Sequence, residues 1–204
     1  MQFSIRVHVR STLLGLSIFC VPLVSSADGP FGVSMGDDAS KIPGCTPAPN
    51  GRNGLYICKT LPKPHPDFES YSLLSPKETG VCEISALGAD IQDNGVGTRT
   101  QSKVDTIAGQ IATSYGQWTK KYDFVHADAM FKDTEYWLMA VSKDERSYSY
   151  LWSPGQFATK NDVHSVVVAA HATRHDVGYV FLQFDFPNID KCIEAAKKAN
   201  AAVF

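Results

Sequence analysis

Residues 68–88, FESYSLLSPKETGVCEISALG, decide the fold. Tyr71 and Leu73 alternate with Ser70 and Ser72, and after a polar turn Cys82, Ile84 and Ala86 alternate with Glu83 and Ser85. A period of two with one apolar face marks half-buried strands. The stretch therefore predicts an antiparallel hairpin with a cysteine in its second strand. It is approached through Leu61 to Pro66, where three prolines in six residues predict an extended connector with few ladder hydrogen bonds to give.

Moving outward toward the C-terminus, residues 90–100 contain Asn94-Gly95 and Gly97 and read as a turn-rich loop. Val104, Ile107, Ala108, Ile111, Ala112 and Tyr115 then fall on one stripe of a helix over 102–115, with Ser102 as N-cap, Asp105 in the first turn and Gly116 as the stop. From Tyr136 the pattern reads as strands again. Trp137, Met139 and Val141 share one face, and after Lys143-Asp144-Glu145 a second strand carries Tyr148, Tyr150 and Trp152. Val163–Ala172 and Gly178–Phe186 predict another strand pair, and Pro187-Asn188 opens a final helix with Ile189, Cys192, Ile193 and Ala196 on its inner stripe. Toward the N-terminus, residues 28–42 suit a short helix ended by Pro43, residues 44–54 read as loop, and 55–60 as a brief strand. The expected fold is α+β: an antiparallel sheet of two hairpin-rich halves with helices packed on one face.

The first residues carry Arg6 and Arg10, an apolar run from Leu13 to Val24 and small residues Ser25 and Ala27. That is the pattern of an export signal over 1–27, which leaves a single domain over 28–204. The run is short of the ~20 residues needed to cross a bilayer, so we expect no membrane span and a periplasmic or secreted protein. The full chain has 19 basic against 21 acidic residues, and without Arg6 and Arg10 the remainder is four negative. Such a balance argues against nucleic acid as a partner.

Beyond the leader stand Cys45, Cys58, Cys82 and Cys192. An even set in an exported chain reads as disulfides, and four cysteines allow three pairings. The short loop between Cys45 and Cys58, and the inward position of Cys192, favour Cys45–Cys58 and Cys82–Cys192. No C-x-x-C pair is present, so zinc is the weaker reading.

No motif identifies a reaction. Gly32-Val33-Ser34-Met35-Gly36 matches G-x-S-x-G by letter, yet too little chain precedes it to provide the strand that supplies an oxyanion donor. His171 and His175 have zincin spacing, but Ala172 stands where the catalytic glutamate belongs, and the segment lies between two strands. Glu69, Glu78, Glu83, Asp144 and Glu145 are the carboxylates available for glycoside chemistry, as any chain of this size would offer. We expect no catalytic residue, no metal and no cofactor. The residues expected to form a binding surface are Tyr148, Tyr150 and Trp152, flanked by serines on a hairpin, with His171 and His175 at a hairpin end.

The segments FGVSMG, KPHPDFESY, ETGVCEISALG and FPNIDKC together resemble a group of small exported bacterial proteins of unassigned activity. At fold level, two helix-plus-antiparallel-sheet halves are similar to the beta-lactamase inhibitory protein type of architecture. That likeness is of fold and carries no activity with it. The lack of a catalytic motif, the disulfide frame and the aromatic hairpins lead us to expect an exported, non-enzymatic module that binds another protein, a toxin or a hydrolase, as an inhibitor or immunity protein does. The alternatives are a small periplasmic hydrolase or metal-binding enzyme using the His171/His175 hairpin, and an envelope-structural protein.

Overall fold

In the computed structural model of the chain, which describes residues 29–49, 53–157 and 160–201, the alternation over 68–88 forms the hairpin it predicts. Strand β3 (Phe68–Leu74) pairs antiparallel with β4 (Glu83–Gly88), with Leu73 opposite Ile84 and Tyr71 opposite Ala86. On the N-terminal side, β1 (Cys45–Pro47) and β2 (Leu55–Cys58) extend the sheet outward from β3. β5 (Ile91–Gln92) is a two-residue strand inside the expected loop and pairs with β9 (Val177–Asp185). The remaining strands are β6 (Lys120–Val125), β7 (Arg146–Trp152) and β8 (Ser165–Arg174).

The strand order is β1-β2-β3-β4-β9-β8-β7-β6, all antiparallel. It reads as two four-strand meanders joined where the last strand of each meets, β4 against β9. Helix α1 (Thr98–Tyr115) follows the first meander and α3 (Ile189–Ala201) follows the second. This is the expected α+β sheet of two hairpin-rich halves, and it is braced by the two expected disulfides, Cys45–Cys58 and Cys82–Cys192.

Helix α1 begins four residues earlier than its apolar stripe requires. Gly97, at φ 71°, is its N-cap, and Asp93 reaches forward to accept the Thr100 backbone N–H at 2.7 Å and the Thr100 hydroxyl at 2.9 Å. Burial opposes the Asp93 charge, but the N–H groups of Thr100 and Asn94 and the Thr100 hydroxyl outweigh it and hold the carboxyl below its ordinary pKa. Gly178 lets this first turn descend onto the sheet, since a Cβ there would stand 2.3 Å from Thr100 Oγ1. The inner stripe of α1, with Val104, Ile107, Ala108 and Tyr115 buried, is the expected one.

Residues 137–142 correct the sequence reading. They form a short helix, α2 (Trp137–Ser142), and the partner of β7 is β6. Trp137, Leu138, Ala140 and Val141 are all buried. A strand turns neighbouring side chains to opposite faces, whereas a helix turn carries such pairs to one side. Among the described residues the N-terminal segment makes two 3-10 turns, Pro30–Gly32 and Ala39–Lys41, in place of the expected short helix.

Candidate functional site: the uncovered sheet face

Strand register sorts the sheet's side chains into two faces. One cross-strand row runs Tyr71, Ala86, Leu182, Val168, Tyr150, and its neighbour runs Leu73, Ile84, Phe184, Val166, Trp152. Every member of both rows is buried. The helices meet this face: Tyr148 Oη and Tyr150 Oη donate to Asp105 Oδ1 of α1 at 2.7 and 2.6 Å, Trp152 Nε1 donates to the Gly116 carbonyl at 2.8 Å, and the Trp137 ring of α2 stands edge-on to Tyr148. Cys82, one residue ahead of β4, ties α3 to the same side through Cys192.

Tyr148, Tyr150 and Trp152 therefore lie in the interior, at 5, 4 and 0 % exposure, and do not present the aromatic binding surface read from the sequence. The physical reason is one of parity. Alternation on β7 separates Tyr148, Tyr150 and Trp152 from Ser147, Ser149 and Leu151 without stating which set meets the helices. The hydroxyl-bearing rings were free to be inward because Asp105 accepts both hydroxyls, with Lys121 Nζ 3.0 Å from Tyr148 Oη.

The opposite face carries other aromatics. One row runs Ser70, Leu87, Phe181, Ala169, Ser149, Tyr122, and the next runs Ile57, Ser72, Ser85, Gln183, Val167, Leu151. Leu87 is 41 % and Phe124 is 45 % exposed, an unusual exposure for large apolar side chains in mid-strand. Along the edge strand β6, Tyr122 and Phe124 are adjacent rings, and Phe124 stacks on His126 at 5.2 Å. On β8 and β9, His171 stacks on Tyr179 at 5.5 Å and meets the edge of Phe181 at 5.3 Å. The one charged side chain in these two rows is Lys120, the β6 partner of Leu151. Charge enters at the ends: Glu83 and Asp185 are opposite each other in the β4–β9 register, and Lys120 closes the β6 edge over the Tyr122 ring. Asp185 accepts from Ser165 Oγ and Gln183 Nε2, and Glu83 from Ser85 Oγ.

His171 is thus on this face and His175 is exposed in the turn that joins β8 to β9. The histidine that comes near His171 is His126: both line a shallow cavity of about 200 Å³ with Asp144, Arg146 and Ser147. Burial holds the His171 imidazole below its ordinary pKa, partly offset by the Asp144 carboxylate. Ser147 Oγ lies 3.4 Å from His126 Nε2, longer than a firm hydrogen bond. Among the described residues no carboxylate hydrogen-bonds either imidazole, and no three His, Cys, Asp or Glu side chains are grouped to hold a metal ion.

The other sequence candidates are dispersed. Ser34 sits in a turn after Pro30–Gly32, its N–H donating to Asp37 Oδ2. Glu145 is occupied in accepting the Met130 and Phe131 backbone N–H groups, at 2.8 and 2.9 Å. Glu69 and Glu78 are exposed on β3 and on the turn after it.

The chain matches no family model, no curated protein and no solved structure. Among the described residues no helix is long and apolar enough to cross a membrane.

What sequence reasoning missed on this face is Tyr122, Phe124, Tyr179 and Phe181 acting together. A signal existed in Lys120–Val125, where Tyr122 and Phe124 alternate with Lys121 and Asp123. The run is short and hydrophilic, as an edge strand with almost nothing buried must be.

Proposed function

We propose that the protein is an exported, non-enzymatic binding module that docks another protein, a toxin or a hydrolase, on its uncovered sheet face. The observation that carries the reading is the composition of that face: exposed Leu87 and Phe124, with Phe181, Tyr179 and Tyr122 beside them, interleaved with serines and free of charge at the centre. Interface centres are depleted of charge and enriched in aromatic residues, and tyrosine with serine is a recurrent pairing in recognition surfaces. The two disulfides and the leader pattern fit an exported setting.

The test compares the chain with a Leu87→Asp, Phe124→Asp variant against a panel of purified exported hydrolases and toxins from the source organism. Both side chains are exposed, so melting should not change. A partner bound by the parent and weakened at least tenfold in the variant supports the reading, since two central anchors are worth about 1–2 kcal/mol each. Equal binding to both chains, or no binding across the panel, sinks it. Sedimentation showing a second copy of the chain on this face would also overturn it. Stoichiometric metal lost on His171→Ala would instead move the reading to a metal-dependent enzyme at the histidine corner.

A further inference from the structure

An apolar recess lies on the other side of the sheet, where the α1 layer does not close over the first meander. It is a cleft of about 400 Å³ floored by Leu182 and Phe184, walled by Phe31, Phe68, Ile107 and Ile111, with Tyr115 at one side and His65, Gln110 and Ser114 at the margin. Its size falls in the range of small-molecule pockets. Neither the sheet-face reading nor the disulfide frame accounts for it.

Three features give it the properties of a binding site. The first is the aromatic cage: Phe31 stands edge-on to Phe68, Tyr71 and Phe184, with centroids at 6.0, 5.1 and 5.9 Å. Phe31 is held there at φ 55°, in the left-handed region that a bulky residue enters only at a cost. The second is charge: among the described residues no Asp, Glu, Lys or Arg lines the cleft. His65, at the margin, is held by the Asp67 backbone N–H, which donates to its Nδ1 at 3.2 Å, with the Asp67 carboxylate 3.9 Å from the same nitrogen. The third is an unused polar group. Tyr115 is only 5 % exposed, yet its hydroxyl hydrogen-bonds to no described residue, while the other inward tyrosines, Tyr71, Tyr148 and Tyr150, each have a partner. Burial alone pushes the Tyr115 hydroxyl up to about 12, so it stays protonated and able to donate. The hydroxyl is not among the fully buried unpaired atoms, so it meets solvent in the cleft, and a ligand acceptor there would take the place of water.

We propose that this cleft binds an uncharged small molecule with a one- or two-ring body, held edge-on by Phe31, Phe68 and Phe184 and accepting a hydrogen bond from Tyr115. A charged ligand is disfavoured because nothing in the lining would neutralise it after desolvation.

The experiment titrates the full chain with Prodan, a neutral naphthalene dye with one carbonyl acceptor, and with the anionic anilinonaphthalene sulfonate. Prodan should bind at one site per chain with a blue-shifted emission, and the sulfonate at least tenfold more weakly. Ile111→Trp fills the cleft from α1 and should abolish Prodan binding. Tyr115→Phe keeps the ring and removes the hydroxyl, and should weaken Prodan about five- to tenfold, the effect of one net hydrogen bond. Should Ile111→Trp fail to fold, Tyr115→Phe decides alone. Leu87→Asp serves as the control on the opposite sheet face and should change nothing. No saturable binding, equal binding of both dyes, or loss with Leu87→Asp but not with Tyr115→Phe overturns the proposal. Since Leu87→Asp tests one face and Tyr115→Phe the other, this site and the protein-docking face stand or fall separately.

Discussion

Single residues decide how tightly α1 is held, and Asp93 is the clearest case. It caps the helix from four residues before the N-cap, within the segment read from the sequence as a turn-rich loop, while Ser102, the residue chosen from the sequence, lies inside the helix. Its effect on stability has a definite sign. The folded carboxyl titrates below the ordinary value of 3.8, so its contribution is fully present above that value and is lost as pH falls through the lower, folded one. Chemical denaturation from pH 7 down to pH 2 should show this loss, and Asp93→Asn, which keeps an accepting oxygen but removes the charge, should cost about 0.3–1 kcal/mol at neutral pH and flatten the acid limb. An Asp93→Asn chain with the parent's acid limb would show that the cap is not the cause. Asp105 teaches the same lesson at another position: read as a helix-start residue, it is the acceptor for two buried tyrosine hydroxyls from β7. Its residue type was legible; its partners, more than forty positions away, were not.

At the level of elements, the apolar stripe of α1 and the strand pairs 68–88 and 163–186 were legible because a long amphipathic pattern has only one way to bury itself. Shorter elements were not. α2 has six residues, too few for helical periodicity to separate from alternation, and β6 buries so little that it left almost no pattern. α3 is the element most dependent on a single bond. Among its described side chains Cys192 is the one fully buried and Ile193 is exposed, so the apolar stripe expected of α3 is only partly used. Around the disulfide, Asn188 Nδ2 donates to the Thr79 and Val81 carbonyls at 3.3 and 3.2 Å, and Thr79 Oγ1 lies 2.9 Å from Cys192 Sγ. Replacing both Cys82 and Cys192 with serine should free α3 amides to exchange within seconds while the sheet stays protected. The global cost should be about 4–5 kcal/mol, since the bond closes a loop of 110 residues. Persistent protection of α3 in that variant would mean that packing, and not the crosslink, holds it.

Over the whole molecule, the mirrored strand order makes β4 and β9 the seam between the halves and leaves β1 and β6 as the edges. The edges are unequal. β1 is closed onto β2 by Cys45–Cys58, whereas β6 is held to β7 by ladder hydrogen bonds, the Lys121–Tyr148 hydrogen bond and the partly exposed Arg146–Asp123 pair, and to α1 by Lys121–Asp105, pairs that add little. Native-state hydrogen exchange should therefore find β4, β8 and β9 protected to the global unfolding free energy and β6 opening first, by a local route. Equal protection of β6 and β9 would contradict this ranking.

The sequence by itself determined the α+β class, the organising hairpin, the main helix and the pairing of the four cysteines, because each follows from a local period or from an inward-facing position. The tertiary structure alone decided which parity of β7 the helices cover, so that Tyr148, Tyr150 and Trp152 became core and Tyr122, Phe124, Tyr179 and Phe181 became surface. It also brought His126, not His175, to His171, and left a cleft beside Tyr115. Alternation defines two faces of a strand but not which one meets the helices; that is set by where a helix dozens of residues away comes to rest.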